Sequence, residues 1–319
     1  MSGSIYGYDV LTDVPFARLQ REAGTRGVIS LRLADRLEPE GELVHSWAEY
    51  GDWTFELIRS ERLLYGVCSI TGTFAIDAAA GTIEAAPGDR GPDAFWEHRM
   101  VSVAFPLLLA ERGELVAHAS AVVGGGMAVL LAGPPGRGKS TLALLAPRLG
   151  YALVAEDGVV VSLDADGPIV WPGPRGVRVL PDVLAQFEGA AVEGPRKSTR
   201  LLPEGSYTVE PVPLGAFIVL DERRGRTLDV TRLDPLLAVP PVIPTLIFGG
   251  TDRLARAFAQ TARLVQQVPV YRASMPDDLD AAPTALAELL TTVAPGAGDD
   301  GRVWAKSHEV GTEARAEIR

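Results

Sequence analysis

The sequence predicts an α/β (α+β) protein in which a small β-rich domain precedes a larger domain of strands and helices. Three observations support this fold class. Short runs of β-branched and aromatic residues, separated by Gly and Asp, occupy the first hundred residues. A helical pattern follows from Asp93 to Arg112. Beyond Leu115, apolar strand-like runs and helical runs surround a glycine-rich loop.

The β-rich N-terminal domain is predicted to cover residues 1–92. Its turn-forming segments include Asp77–Gly81 and Ala86–Pro92, which are rich in Gly, Pro and Asp. The predicted strands are Val28–Leu33, Trp53–Arg59, Leu64–Ile70 and Thr73–Ile76.

The second domain is predicted to cover residues 93–293, with residues 93–114 as a connecting helix. One strand over Val116–Val123 and another over Ala128–Ala132 flank Gly124–Gly126, which suits a tight hairpin. A helix over Lys139–Leu149 and an apolar strand over Ala152–Ala155 follow. The remaining predicted elements are strands Val159–Leu163, Pro168–Trp171, Val177–Leu180 and Ala216–Leu220, and helices Asp252–Gln267 and Asp277–Thr292. Residues 294–319 are predicted to be a solvated, disordered tail.

Composition excludes several classes of function. The 30 basic and 41 acidic residues give a net charge of −11, which disfavours a nucleic acid as the main partner. The single cysteine, Cys68, excludes an internal disulfide and a cysteine-clustered metal site. The start of the chain lacks a secretory pattern, and its longest apolar stretch, Met127–Ala132, is far shorter than the ~20 residues of a membrane span. We therefore expect a cytoplasmic protein with no membrane partner.

The strongest motif is the run Gly133-Pro134-Pro135-Gly136-Arg137-Gly138-Lys139-Ser140-Thr141, a full match to G-x-x-x-x-G-K-[ST]. Glycines let backbone N–H groups turn inward around a phosphate, and the start of the following helix adds partial positive charge. Lys139 is then placed for the outer phosphates, and the Ser140 hydroxyl for Mg²⁺. The sequence therefore predicts binding of a nucleotide, ATP with Mg²⁺.

Two acidic pairs compete to act with this loop. Glu156-Asp157 ends the apolar strand after the loop's helix, which we expect to lie beside the loop strand and to open onto the phosphates. Asp221-Glu222 follows the apolar run Phe217–Leu220 and is similar to the Walker B segment of transport ATPases. We favour Glu156-Asp157 as the functional pair and interpret Asp221-Glu222 as mostly structural.

Other polar residues carry weaker signals. His118 lies in an apolar strand, where a histidine is more often a core residue than a catalytic one. His45, His98 and His308 have no motif around them and receive no role. Among basic residues, Arg175 and Arg178 form one candidate phosphate or substrate cluster. Arg196, Lys197 and Arg200, in a Gly/Pro-bounded loop, form the preferred one.

Together, His118-Ala-Ser-Ala, the glycine-rich loop and Tyr151–Asp157 resemble the catalytic domain of HPr kinase/phosphorylase. More closely they resemble its diverse bacterial relatives, the HPr-kinase-like proteins, some of which belong to peptide natural-product clusters. The resemblance is good over about residues 115–165 and looser to about residue 290. It implies a phosphotransferase core related to phosphoenolpyruvate carboxykinase, and it raises the weight given to His118.

The resemblance implies an ATP- and Mg²⁺-dependent kinase that phosphorylates a hydroxyl of a peptide, protein or small molecule. The loop amides and Lys139 would hold the phosphates, and Ser140 and Asp157 the metal. Glu156 is the preferred general base, although the two acids can exchange roles. Lys197 or Arg200 would neutralise the transferring phosphoryl group, and the N-terminal domain would recognise the acceptor. Relatives of this class often assemble, which leaves a homo-oligomer open.

Two positions depart from the family pattern. Glu156 stands where the family usually has an aspartate, and Thr141 where bifunctional members have an acid. The resemblance is therefore not extended to phosphorylase activity or to HPr as the substrate. Two alternatives stay open: a regulatory module that binds nucleotide without transfer, and a transport-type ATPase that uses Asp221-Glu222.

Overall fold

A computed structural model describes residues 3–49, 53–188 and 197–293 of the chain. The predicted tail, residues 294–319, lies outside the described residues. Within the described ranges, two large β-sheets and seven α-helices form a mixed α/β fold.

The first sheet has eight strands, in several of which buried and more exposed positions alternate. The strands are β1 Gly3–Ile5, β2 Tyr8–Thr12, β3 Val28–Leu33, β4 Glu42–Glu49, β5 Trp53–Arg59, β6 Leu64–Cys68, β7 Gly72–Asp77 and β8 Thr82–Pro87. Their order is β1-β2-β3-β8-β7-β6-β5-β4, parallel at β2–β3 and β3–β8 and antiparallel elsewhere. The four predicted strands coincide with β3, β5, β6 and β7, although β6 ends at Cys68 before a turn.

The helix predicted over Asp93–Arg112 is interrupted in its middle. Asp93 caps α1 (Ala94–Arg99), since its carboxylate accepts hydrogen bonds from the N–H groups of Phe95 and Trp96. A π-helical turn, Met100–Ala104, then joins α1 to α2 (Phe105–Glu111). The interruption coincides with Pro106, which has no N–H to donate to the preceding turn.

The second sheet has nine strands, and its central strands are continuous apolar runs because both faces are covered. The strands are β9 Leu115–Ala117, β10 Ala119–Gly124, β11 Met127–Ala132, β12 Leu153–Glu156, β13 Val159–Asp164, β14 Gly167–Val170, β17 Val212–Leu220, β18 Asp229–Arg232 and β19 Val270–Ser274. The main order is β12-β10-β11-β17-β14-β13-β9, and β19 adds to β17 with β18 outside it. A separate ribbon pairs β15 (Val177–Val179) with β16 (Ser198–Arg200).

The strand predicted over Val116–Val123 is two strands, because the chain changes partners at His118. β9 pairs with β13, whereas β10 pairs with β11 and β12. The His118 N–H donates to the Thr245 carbonyl at 2.7 Å instead of to a sheet neighbour. The predicted hairpin is confirmed: Gly125 and Gly126 have φ of 61° and 79°, and β10 and β11 pair directly.

The prediction that the strand after the loop's helix lies beside the loop strand is wrong. β12 pairs with β10, and the β10–β11 hairpin places β10 between β12 and β11. Because β12 and β11 are each antiparallel to β10, they run in the same direction and their C-terminal ends meet at one sheet edge. β17 is parallel to β11 on its other side, so its C-terminal end lies at that edge too.

The remaining helices cover the two faces of the second sheet. They are α3 Lys139–Leu145, α4 Pro181–Glu188, α5 Pro235–Val242, α6 Leu254–Gln267 and α7 Ala282–Val293. The helix predicted over Lys139–Leu149 ends as a 3₁₀ turn, Ala146–Leu149, which contains Pro147. No helix in the described part of the chain is long and apolar enough to cross a membrane.

The buried side chains of the described residues form three hydrophobic cores. The first core joins the first sheet to α1 and α2, with Phe55, Trp96 and Phe105 among its largest members. The second core lies under α3 and α7 on one face of the second sheet, and the third core under α5 and α6 on the other. The first and second cores border the cleft at which the C-terminal strand ends meet.

Candidate active site

The glycine-rich loop connects β11 directly to α3, as the motif predicts. Gly133, Gly136 and Gly138 have φ of 138°, 81° and 99°, which are values that residues with a side chain rarely adopt. A Cβ placed on Gly136 would meet no atom within 4 Å, so the space beside this residue is open, and Gly136 lines the cleft. The local sequence therefore builds an open, backbone-lined turn at the sheet edge.

Lys139 is nearly buried beneath the loop and closes it. Its Nζ donates to the carbonyls of Gly133 at 2.7 Å and Pro134 at 3.1 Å. Burial, together with the charge of Lys197, lowers the pKa of Lys139 to about 8. An acceptor of higher charge density than these carbonyls would compete for the same ammonium.

Ser140 and Glu156 form the first contact between the loop and the acidic pair. The Ser140 Oγ donates to Glu156 Oε1 at 2.8 Å, and Glu156 Oε2 accepts from the Arg178 backbone N–H at 3.4 Å. Glu156 is only 1% exposed and does not line the cleft. Burial and the neighbouring Asp157 raise the pKa of Glu156 to about 7.

Asp157 follows β12 in a left-handed conformation, with φ of 75°, which is uncommon for a residue with a side chain. This backbone geometry turns its carboxylate into the cleft, next to two imidazoles. Asp157 Oδ2 lies 3.5 Å from His98 Nε2, and Oδ1 lies 3.4 Å from His118 Nδ1. Burial raises the pKa of Asp157, but His98, His118 and Arg178 favour the charged form more strongly, so the pKa falls below its ordinary value.

His118 lies at the break between β9 and β10, close to Asp157. Its Nδ1 is 2.9 Å from the Asp157 carbonyl oxygen, which can only accept, so Nδ1 carries the hydrogen. The imidazole is 46% exposed and lines the cleft, and burial of the rest lowers its pKa. The structure thus brings His118 to the acidic pair.

His98 received no role from the sequence, yet it lies on the other side of Asp157. Its Nδ1 is 3.2 Å from the guanidinium Nη1 of Arg18 and 3.0 Å from Ser102 Oγ. Arginine only donates, so Nδ1 accepts and the remaining hydrogen lies on Nε2, which faces Asp157. Burial lowers the pKa of His98 well below its ordinary value, so the imidazole is neutral.

No sequence signal marks His98 or Arg18 as site residues. His98 is one polar residue in a helix, and Arg18 lies in an irregular segment far from every motif. The Arg18 guanidinium donates through Nε to the Arg175 carbonyl at 2.8 Å. The backbone N–H of Arg18 donates to Glu97 Oε1. Only the tertiary fold brings Arg18 and His98 to Asp157.

The basic residues divide into two groups. Lys197 approaches the loop, with Nζ 3.5 Å from Ser140 Oγ, and Lys197 and Arg178 both line the cleft. Arg200 instead pairs with Glu188 at 3.0 Å and does not line the cleft. Of the preferred cluster, Lys197 reaches the site and Arg200 does not, while Arg196 lies outside the described residues. Arg178, from the other cluster, also lines the cleft.

Asp221-Glu222 also lies near the loop, at the end of β17. Glu222 Oε1 accepts from Arg137 Nη2 at 3.1 Å, and the Arg223 guanidinium reaches the Gly136 carbonyl at 3.4 Å. The Glu222 side chain is 56% exposed, whereas Glu156 is buried against Ser140. Glu222 therefore contacts the loop through Arg137, and neither acid of this pair lines the cleft.

The cleft has a volume of about 650 Å³ and contains the loop, Asp157 and both imidazoles in its walls. Within the described ranges, no group of three or more His, Cys, Asp or Glu side chains is placed to hold a metal by itself. Mg²⁺ sites on phosphate substrates need only one or two protein ligands, since phosphate oxygens and waters supply the rest. Ser140, Glu156 and Asp157 are oxygen ligands of the required kind.

No family model matches the chain, and no curated protein matches it. Among solved structures, the chain is similar to the HPr(Ser) kinase/phosphatase from Coxiella burnetii, with a TM-score of 0.29 and 14% sequence identity. The match covers 56% of this chain and 97% of the other.

Proposed function

We propose that the protein is a kinase that uses ATP and Mg²⁺ to transfer a phosphoryl group to a hydroxyl. One observation carries this proposal: the glycine-rich loop, Lys139, the Ser140 hydroxyl and the Asp157 carboxylate all line one cleft. Phosphoryl transfer needs bound phosphates, charge neutralisation and a carboxylate at the nucleophile, and these groups supply each requirement.

The loop would bind the phosphates of ATP. The loop is open beside Gly136, which lines the cleft, and the Lys139 ammonium donates to backbone carbonyls that a phosphate can replace. Lys197 lies 3.5 Å from Ser140 on the cleft side, where it would neutralise charge on the transferring group.

The oxygen ligands around Ser140 fit Mg²⁺. The Ser140 hydroxyl and a Glu156 oxygen are 2.8 Å apart, and both belong to groups that magnesium accepts beside phosphate oxygens. Bound there, the ion would neutralise charge on the outer phosphates. Burial keeps Glu156 in contact with Ser140 and away from the acceptor.

Asp157 is the better candidate for the general base, which reverses the order of preference from the sequence. Asp157 lines the cleft, whereas Glu156 is buried behind the loop. Asp157 stays ionised, and His98 and His118 orient its two oxygens from opposite sides. An ionised, oriented carboxylate can accept the proton of an incoming hydroxyl as the phosphoryl group moves.

Transfer of label from γ-labelled ATP to a pool of host peptides and metabolites tests the proposal. We expect acceptor-dependent transfer that falls about a hundredfold or more in Lys139→Ala. Lys197→Ala should reduce transfer, whereas Arg200→Ala, a basic residue outside the cleft, should not. Full transfer by Lys139→Ala would refute the kinase assignment.

A second candidate function is acceptor-independent ATP hydrolysis through Asp221-Glu222. The observation that favours it is the Glu222–Arg137 contact at the end of β17, the parallel neighbour of the loop strand. This candidate predicts hydrolysis without an acceptor and its loss in Glu222→Gln.

A further inference from the structure

The cleft has two apolar walls, which belong to different cores. The first wall consists of Trp47, Phe95, Val103, Ile247 and Phe248, all of which line the cleft. Trp47, Val103 and Ile247 pack against the first core. The second wall consists of Val179, Leu180, Val183 and Leu279, of which Val179 and Val183 belong to the second core.

The first wall lies on the Asp157 side of the cleft. The Phe95 ring is 6.3 Å from the His98 ring, whose Nε2 is 3.5 Å from Asp157. On the other side of Asp157, the segment of Ile247 and Phe248 is tied to His118. The His118 N–H donates to Thr245, and the Ile247 N–H donates to Val116 at 2.8 Å.

Every member of the first wall keeps part of its side chain exposed to the cleft. Large apolar side chains that face a concave space favour an apolar ligand, because its burial removes their surface from water. The wall extends from Asp157 to Trp47 on β4, so a hydroxyl group alone would leave most of it uncovered.

The polar groups beside this wall do not suit a second charged ligand. Arg99 is only 5% exposed, and its guanidinium lies over the Phe55 ring at 4.8 Å. Lys139 and Lys197 lie at the loop and are used by phosphate in the proposed function. The Arg178 guanidinium lies 5.9 Å from the Phe95 ring and donates to the Lys197 carbonyl at 3.1 Å. The charge of the cleft therefore concentrates at the loop and beside Asp157 and Phe95, and the rest of the first wall is apolar.

We infer that the first wall binds a large apolar or aromatic group carried next to the acceptor hydroxyl. This inference rests on the proposed function, because that function places the acceptor hydroxyl at Asp157. A seryl peptide with an aromatic residue next to the serine and a small aromatic alcohol both carry a hydroxyl beside a large apolar group.

Matched probes test the inference by binding and by transfer. One pair of probes consists of short peptides with a single Ser, flanked by Phe in one peptide and by Gly in the other. The second pair consists of 2-phenylethanol and ethanol. Calorimetry with Ala-for-Ser versions of the peptides measures binding without any transfer. We expect the Phe-flanked peptide to bind about tenfold or more tightly than the Gly-flanked peptide, or 2-phenylethanol to bind about tenfold or more tightly than ethanol.

Substitutions in the first wall test whether the preference for the apolar probe depends on that wall. Phe248→Ala and the milder Val103→Thr should each reduce that preference, while their affinity for ATP stays unchanged. Phe258→Ala is the matched control, since Phe258 is 54% exposed on α6 and does not line the cleft. Preference for peptides only, or for the small alcohol only, identifies the source of the apolar group.

Three results separate this inference from the kinase assignment. Equal binding of all probes overturns the inference, even if label transfer occurs. Weakened ATP binding in Phe248→Ala and Val103→Thr also overturns it, because the wall would then hold the nucleoside. A preference that depends on Phe248 without any label transfer retains the apolar ligand site and rejects the kinase assignment.

Discussion

At the scale of single residues, the site depends on two adjacent carboxylates with different surroundings. Glu156 is buried against Ser140 and has its pKa raised to about 7, whereas Asp157 has its pKa lowered by imidazole and guanidinium neighbours. Neighbouring acids whose pKa values are pushed apart can take different roles at one pH. The buried acid therefore supports the loop, and the ionised acid faces the cleft.

The raised pKa of Glu156 predicts a pH dependence of stability. Its pKa rises from 4.5 in the unfolded chain to about 7 in the folded one, so the folded state binds more protons between these values. The contribution of Glu156 to the free energy of unfolding is therefore full below pH 4.5 and is lost as pH rises to about 7. Urea unfolding across this range should show wild type losing stability relative to Glu156→Gln as pH rises, because the amide of the variant cannot ionise. A constant difference would contradict this assignment.

The position of His98 predicts an effect on rate that acts through Asp157. We expect His98→Asn to lower kcat about tenfold, to leave the KM for ATP unchanged, and to move the acidic limb of the pH–rate profile to higher pH. The last change follows because the Nε2–H of the neutral His98 faces Asp157 Oδ2 at 3.5 Å and favours the ionised carboxylate, which lowers the pKa of Asp157. His45→Asn, which alters a histidine of the same cleft, is the control. An unshifted pH profile would reduce His98 to a packing role.

At the scale of elements, the loop depends on glycines for two different reasons. A Cβ on Gly133 would lie 2.5 Å from the Leu220 carbonyl oxygen of β17, whereas one on Gly136 would meet no atom within 4 Å. Both residues have positive φ, so both substitutions strain the backbone. Only Gly133 is also required for close packing against the neighbouring strand.

Thermal and urea unfolding of two alanine variants tests this distinction. Gly136→Ala should lower the free energy of unfolding by about 1–2 kcal/mol, the cost of the left-handed conformation. Gly133→Ala should lower it by more than about 2 kcal/mol, because the β11–β17 pair must also move. Equal losses would mean that the contact with Leu220 is relieved without cost.

The elements that sequence could predict are those encoded by neighbouring residues. The strand–loop–helix around Gly133 and the hairpin at Gly124–Gly126 follow from local glycine and apolar patterns. The sequence did not predict that β12 pairs with β10, because the residues of a strand do not specify which neighbouring strand it will pair with. The break at His118 was unpredictable for a similar reason, because the His118 N–H donates to the carbonyl of Thr245, which is more than a hundred residues away in the sequence.

At the scale of the whole molecule, the N-terminal strands are joined directly to the candidate site. The Tyr6 hydroxyl donates to the Gly158 carbonyl at 3.0 Å, next to Asp157, and Gln20 donates to the Gly173 carbonyl at 2.8 Å. Arg18 reaches both Arg175 and His98. The sequence placed these residues in a domain for acceptor recognition and gave no sign that they also support the acidic pair.

Substitution of Arg18 tests this link. Arg18→Met leaves the Arg175 carbonyl without its buried donor, so the free energy of unfolding should fall by about 2–4 kcal/mol. Because the Arg18 charge lowers the pKa of Glu156, the ionisation of Glu156 should also move above pH 7. Urea unfolding at several pH values measures both effects. Arg21→Met, at a nearby side chain that is 70% exposed, is the control and should change neither.

The central claim is that Asp157 accepts the proton of an acceptor hydroxyl while the loop holds ATP. The most direct measurement compares label transfer and ATP binding in wild type, Asp157→Asn and Glu222→Gln. We predict that Asp157→Asn keeps its affinity for ATP and loses transfer by about a hundredfold or more, and that Glu222→Gln retains transfer. Full transfer by Asp157→Asn, with loss of ATP turnover in Glu222→Gln, would contradict the account and move the chemistry to the end of β17.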